Sequence, residues 1–397
     1  MQKHATLVIA GFIGATLAGA GLTGCGGPTK AGMEAREELR ARHQGNLADL
    51  AAQQARQDFS VGNLDDALNA CDVAIGYQPT NIEHHVLRGR ILIELHKLDH
   101  AMRSFQQAIT INENHGDAHY YAGLVQQRWS NDDAALVHYD AAFASDPMNV
   151  NYLMAKVETL ITMRRLDEAE KLIFDRLPYF EHDASLRRAQ GHLELMRQRY
   201  DEAAQCFEKA ALLAPDEYVI LEDLAYALFM DGQYAKADYY LERLMSEEKN
   251  ADRRDLRQFK ARCLVAMGRL IDARFIYLKL VNEQPSDRTA WHELGMVALQ
   301  LGDMKRVQQV SARMISNWPH RHEGYLIRGL LAERADDQMA AQRDLRKALS
   351  LAPANPETRL VLSVALDRVG LEAEARQALA GVEGVGRDYA TVPVSQD

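Results

Sequence analysis

Cysteine, proline and net positive charge are all scarce in this chain of 397 residues. Four cysteines are too few for a disulfide scaffold of this length, and no two of them stand at a zinc-binding spacing. Only 10 prolines and few runs of Val, Ile or Thr argue against an all-β fold. Lys and Arg total 46 against 56 Asp and Glu, so the net charge is −10 and nucleic acid is not an expected partner. No phosphate loop and no G-x-S-x-G elbow occurs. His292-Glu293 and His322-Glu323 open like a zinc-protease motif, but Met296 and Leu326 stand where the second His is required. His84-His85 and His320-Arg321-His322 read as surface histidines near helix starts. No catalytic residue, metal or cofactor is therefore expected. What the chain does have is 47% hydrophobic and 26% charged residues, the composition of a protein that builds a core.

The amino terminus stands apart. One Lys lies within Met1–His4, and Ala5–Gly24 then runs for 20 residues without a charge. That length suits a membrane span, and a secreted protein would show an A-x-A-like cleavage site. Leu22-Thr23-Gly24-Cys25 fits a third reading better, because it resembles the lipobox of bacterial lipoproteins. The resemblance implies that residues 1–24 are a signal peptide and that Cys25 is acylated, leaving a mature charge of −11 because Lys3 is removed. Gly26, in place of Asp, points to the periplasmic side of the outer membrane. Residues 26–33 read as a tether and Glu34–Arg42 as a charged helical lead-in, so that 25–47 form one segment.

The remainder repeats. A small residue recurs at Ala67, Ala101, Ala135, Ala169, Ala203 and Ala237, always 34 residues apart. After one step of 36 the series resumes at Ala273, Val307, Ala341 and Ala375. Other positions hold the same phase. Twelve residues before this anchor lie Gly89, Gly123, Gly191, Gly295 and Gly329. Twelve after it lie Pro79, Pro147, Pro215, Pro285, Pro319 and Pro353, and four after it lie Phe105, Tyr139, Phe207 and Tyr277. Within a copy, Tyr200, Ala203, Ala204, Phe207, Ala210 and Ala211 make one apolar helical face, which Pro215 ends. A second helix precedes it over about Ala184–Arg197, and the small residues Gly191 and Ala203 let the two approach. Tyr200 and Phe207 are expected to fill the space to neighbouring copies. One such hairpin cannot bury its own face, whereas stacked hairpins can.

The period and the small, large and Pro positions resemble the tetratricopeptide repeat (TPR), most closely in the eighth copy with Trp291, Leu294, Gly295 and Pro319. The resemblance implies an all-α protein, an α-solenoid or TPR superhelix of about ten helix–turn–helix repeats. The array spans 48–382, with repeats starting near 48, 82, 116, 150, 184, 218, 254, 288, 322 and 356, and 383–397 form a tail. The fourth copy departs at Val157 and Pro178, and the two extra residues fall near Ser246–Arg254. Cys71, Cys206 and Cys263 read as small packing residues.

The family binds partners in a concave groove lined by the first helices. Its groove positions fall here on Tyr120, Leu124, Met154, Ile161, His192 and Leu195, then on Tyr226, Phe229, Met296, Leu299, Leu326 and Leu330. The earlier copies place Asp49, Arg56, Glu83 and Arg90 there, so the groove is expected to be polar first and apolar later. The other reading of these positions is packing between repeats. The implied function is a noncatalytic scaffold or adaptor, anchored to a membrane through lipid on Cys25, that recruits protein or peptide partners in the cell envelope. Pilus, secretion, exopolysaccharide and cell-wall assembly are the processes in which such lipoproteins occur. A self-associating structural protein and an enzyme of unknown type are the alternatives, and the oligomeric state is open. Cys25→Ser is expected to abolish acylation, read by labelling with a fatty-acid probe; continued labelling would overturn the lipobox reading.

Overall fold

The computed structural model describes residues 29–380, in which every regular element is helical. Cys25 and the tail after residue 382 lie outside the described residues. Two compact units divide at Lys156 and Val157. The first holds α1 (Lys30–Ser60), α2 (Leu64–Tyr77), α3 (Ile82–Glu94), α4 (Leu98–Ile111), α5 (Gly116–Arg128) and α6 (Asp132–Ser145). The boundary falls inside α7 (Val150–Thr162). The second unit continues with α8 (Leu166–Arg176), α9 (Ala184–Met196), α10 (Tyr200–Leu213), α11 (Tyr218–Met230), α12 (Tyr234–Met245), α13 (Arg254–Ala266) and α14 (Leu270–Glu283). It ends with α15 (Arg288–Gln300), α16 (Met304–Asn317), α17 (Glu323–Arg334), α18 (Gln338–Leu351), α19 (Pro356–Arg368) and α20 (Glu372–Leu379). Odd-numbered helices are the first and even-numbered the second of each hairpin.

Each hairpin closes on the anchor. Ala67, Ala101, Ala135, Ala169, Ala203, Ala237, Ala273, Val307 and Ala341 have no exposed surface at all. The large residue four positions on lies directly over the glycine of its own first helix. A Cβ on Gly123 would stand 2.6 Å from the Tyr139 ring, and one on Gly191 2.6 Å from the Phe207 ring. Phe207 thus fills space inside its own hairpin, and not only toward neighbours as expected. The helix crossing is close because a hydrogen atom faces a ring. In the eighth copy the second helix carries Ser311 at that position. There Gly295 receives Ile327 from the next hairpin instead, 2.6 Å from a would-be Cβ. The core is accordingly a series of local clusters, such as Phe207, Leu221, Leu224, Leu241 and Cys263 in the second unit.

The turns inside the hairpins repeat as strictly as the anchors. The junction residue is left-handed in all ten, with Gly at 62, 232, 268, 302 and 370 but His96, Ser130, Arg164, Gln198 and Asp336 elsewhere. A backbone bond closes each turn, as from the Lys97 amide to the Leu92 carbonyl at 2.9 Å, so the helix ends in a Schellman-type cap. A side chain in that conformation costs about 1–2 kcal/mol; closure of the hairpin outweighs it.

Three irregularities have local causes. Helix α1 starts at Lys30, where the Thr29 hydroxyl accepts from the Gly32 amide at 3.2 Å, and it continues unbroken through the expected tether and lead-in to Ser60. Its Ala-, Glu- and Arg-rich sequence favours a helix without packing; burial begins only at Ala48. In the fourth copy α8 gives way to a 3₁₀ turn, Leu177–Tyr179, around Pro178. In the sixth, α12 stops at Met245 and residues 246–253 connect it to α13, which accommodates the two extra residues.

Gly191→Ala is expected to drive a methyl into the fully buried Phe207 ring and cost about 1–3 kcal/mol. A thermal melt reads this; an unchanged midpoint would mean that the hairpin has room to spare.

Candidate functional site

The pairing of helices defines an inner face. First helices touch the next first helix at α1–α3 and α3–α5 in the first unit, and at α15–α17 and α17–α19 in the second. Second helices pair to a comparable extent only with first helices. At those pairs first helices lie against one another on one side, where second helices make no comparable contact with each other.

In the second unit this inner face opens into a cleft of about 390 Å³. Phe229 of α11, Val265 of α13, and Met296 and Val297 of α15 supply apolar walls, and Tyr277 of α14 reaches in from behind. The charged groups there are already engaged with one another. The Glu293 carboxylate accepts from Arg262 Nε at 2.6 Å and from Gln258 Nε2 at 3.0 Å. It also takes the Tyr277 hydroxyl, which burial and this carboxylate together hold well above the usual phenol range. Burial pushes His292 below the ordinary imidazole value, so it is neutral at pH 7. The cleft thus offers apolar surface and a pre-neutralised ion pair, and it presents no uncompensated charge.

The same pattern runs along the inner face. Arg188 Nε donates to Asp223 at 2.5 Å, and His192 Nε2 lies 3.1 Å from the same carboxylate. Arg254 bonds to Asp287 at 2.6 Å, and Arg368 to Glu333 at 2.8 Å. Arg253 pairs with Glu222, and Arg288 with Glu323. Partners mostly stand one repeat apart, so each pair ties a hairpin to its neighbour. Burial pushes the Asp223 carboxyl up, but the hydrogen bonds from His192 and Arg188 outweigh it and hold it below the usual carboxylate range.

The candidate groove residues divide by environment. Phe229 and Met296 come together in the cleft. Tyr226, on the same inner helix, is 47% exposed and the most open of the set. Ile161 and Leu195 are half-buried, and Leu195 and Leu330 lean on core clusters. His192 is pinned between Asp223 and the Phe207 ring, 5.2 Å away between centroids. Leu299 and Leu326 lie in the core, at 5% and 0% exposure, because the neighbouring hairpins close over them; they offer no contact surface. In the first unit Leu124 leans on the core and Met154 is half-buried. Tyr120 joins an aromatic cluster with Tyr121, Tyr139 and Tyr152. Arg90, one of the early polar positions, lies over the Phe59 and Tyr121 rings, and Glu83, another, pairs with His115.

In the middle and later copies the sequence reading kept the apolar groove positions and passed over the charged ones. Arg188 and Glu222 occupy the register position of Met154, and Arg262 that of His192 and Tyr226; applying the register to every residue type would have found them. Among the described residues no group of three or more His, Cys, Asp or Glu is placed to hold a metal. Burial pushes the thiols of Cys71 and Cys263 up to about 12 and that of Cys206 to about 11, so all three stay protonated.

Tetratricopeptide repeat models match residues 85–115, 188–246 and 228–295. Over those residues the chain carries tetratricopeptide repeats. Among solved structures it is similar to a tetratricopeptide repeat protein from Parabacteroides merdae, at 19% identity and a TM-score of 0.49, over 64% of this chain and 99% of that one. It is also similar to PilW, a type IV pilus biogenesis factor, at 17% identity and a TM-score of 0.47, over 51% and 96%. Pseudomonas aeruginosa PilF gives 18% identity and a TM-score of 0.44, over 52% and 93%. No curated protein matches the sequence.

Asp223→Asn is expected to cost about 1–2 kcal/mol at neutral pH by replacing the charged acceptor of Arg188 with a neutral amide oxygen. Because the native carboxyl titrates below its unfolded value, its contribution is present above that value and lost as pH falls through the native one. The variant should therefore lose less stability than the parent between about pH 5 and about pH 3. Parallel melting curves for the two proteins would overturn this.

Proposed function

We propose that the chain is a noncatalytic protein-binding scaffold. Its inner face in the second unit takes an apolar segment of a partner protein, and lipid on Cys25 holds it at the cell envelope, on the periplasmic side of the outer membrane. The observation that carries the reading is the cleft between α11, α13 and α15. It combines apolar walls with charges already neutralised by one another, so an apolar side chain can enter without stranding an ion. The protonated cysteines and the engaged carboxylates favour binding over chemistry. Anchoring raises the local concentration of the scaffold and turns a modest affinity into recruitment. Pilus, secretion, exopolysaccharide or cell-wall assembly is the setting proposed for it.

A photocrosslinker at Tyr226 or Met296 is expected to trap the partner in cells. Tyr226→Ala with Met296→Ser should weaken capture at least about tenfold, roughly 1.4 kcal/mol, with helicity unchanged. Unaltered capture would move the binding surface elsewhere, and a crosslink to a second copy of this chain would favour self-association.

A further inference from the structure

The outer side of the second unit carries a regular feature that the scaffold reading does not use. Six residues after the buried anchor, five successive second helices place Lys209, Arg243, Lys279, Arg313 and Lys347. All five are exposed. In the four earlier copies the position holds Val73, Gln107, Ala141 and Asp175, so the basic row belongs to α10, α12, α14, α16 and α18 alone. The inner-face arginines are consumed in ion pairs, but none of these five is held in a salt bridge among the described residues. Lys279 lies over the Phe275 ring at 4.5 Å and Arg313 over Trp291 at 5.2 Å.

Positions four and eight residues earlier lie on the same stripe of the helix. There Tyr239 is 62% exposed, Phe275 60%, Ile271 66% and Met339 85%, while α16 places Lys305 and Gln309 and α18 Arg343 at these positions. Most acids on these helices are turned to other partners. Glu242 holds Lys260 at 2.6 Å, Asp272 holds Arg269 at 2.8 Å, Glu283 holds Arg257 at 2.7 Å and Asp344 holds Arg328 at 2.6 Å. Asp238 is buried beside Lys260. Helix α10 adds Asp201, Glu202 and Glu208 beside Lys209, so the stripe is most basic from α12 to α18.

We propose that this stripe docks on an anionic phospholipid surface, the cations meeting headgroups while Tyr239, Ile271, Phe275 and Met339 enter the interfacial layer. A chain with a net charge of −10 is repelled by such a surface unless a local cluster reverses the sign, and this row does so. Exposed aromatic and apolar side chains interleaved with the cations suit a bilayer interface better than a soluble polyanion, which has nothing apolar to receive them. The contact is independent of acylation at Cys25. With that anchor it would lay the outer face on the membrane and leave the inner face open.

The test is vesicle co-sedimentation of protein beginning at Gly26, which retains every described residue. It is expected to bind vesicles containing phosphatidylglycerol, to bind pure phosphatidylcholine weakly, and to be released by salt. Each cation near an anionic surface is worth about a fivefold gain in partitioning. Arg243→Glu, Lys279→Glu and Lys347→Glu together should lower binding by about a hundredfold or more. All three side chains are exposed, and an unchanged circular dichroism spectrum checks the fold. Tyr239→Ser with Phe275→Ser should weaken binding while retaining its salt dependence. Equal binding to both vesicle types, retention by the charge-reversed variant, or binding to heparin without binding to vesicles would overturn the proposal.

Discussion

The structure depends on one contact made over and over: a large second-helix side chain seated on a first-helix glycine, beside an anchor with no exposed surface. At Gly123 and Tyr139, and at Gly191 and Phe207, the ring occupies the place of a Cβ. The contact sets the separation of the two helices, and that separation sets how much of each is left for the next hairpin. Where the large residue is missing, as at Ser311, the neighbouring hairpin sends Ile327 into the same space. Packing is therefore conserved in volume even where its donor changes, as a close-packed interior demands.

In the second unit the side of the first helices and the side of the second helices are unlike. On the inner face, arginines and carboxylates one repeat apart pair with each other, which joins hairpins and cancels charge. The apolar walls of the cleft remain usable because no unpaired ion borders them. On the outer face Lys209, Arg243, Lys279, Arg313 and Lys347 are held in no salt bridge among the described residues and stay open to solvent. The inner face thereby suits an apolar partner and the outer face a charged surface.

Much of the fold could be read from the period. The anchor recurs in ten copies, the closing proline in six, the glycine in five and the aromatic partner in four, all in one phase, so noise in any one copy is averaged out. The left-handed junctions were legible only in part. Five of them lack glycine, and the turn is imposed there by the helices on either side. The start of α1 was misread as a tether because Gly26-Gly27-Pro28 dominates the pattern, although Thr29 caps a helix immediately afterwards. Cys25 and the tail fall outside the described residues.

The candidate site was less legible than the fold. A 34-residue register assigns each residue a place on its own helix, and local propensity with hydrophobic phase is enough for that. It cannot say how far the next hairpin covers that place. Met296 and Leu299 are one turn apart on α15, yet one lines the cleft and the other is buried. Arg188 and Asp223 meet only when two first helices lie side by side. The sequence by itself determined the repeat, the helices and the hairpin cores, because those contacts are local. Only the tertiary structure decided which faces stay open and which charges are consumed, because those depend on contacts between hairpins.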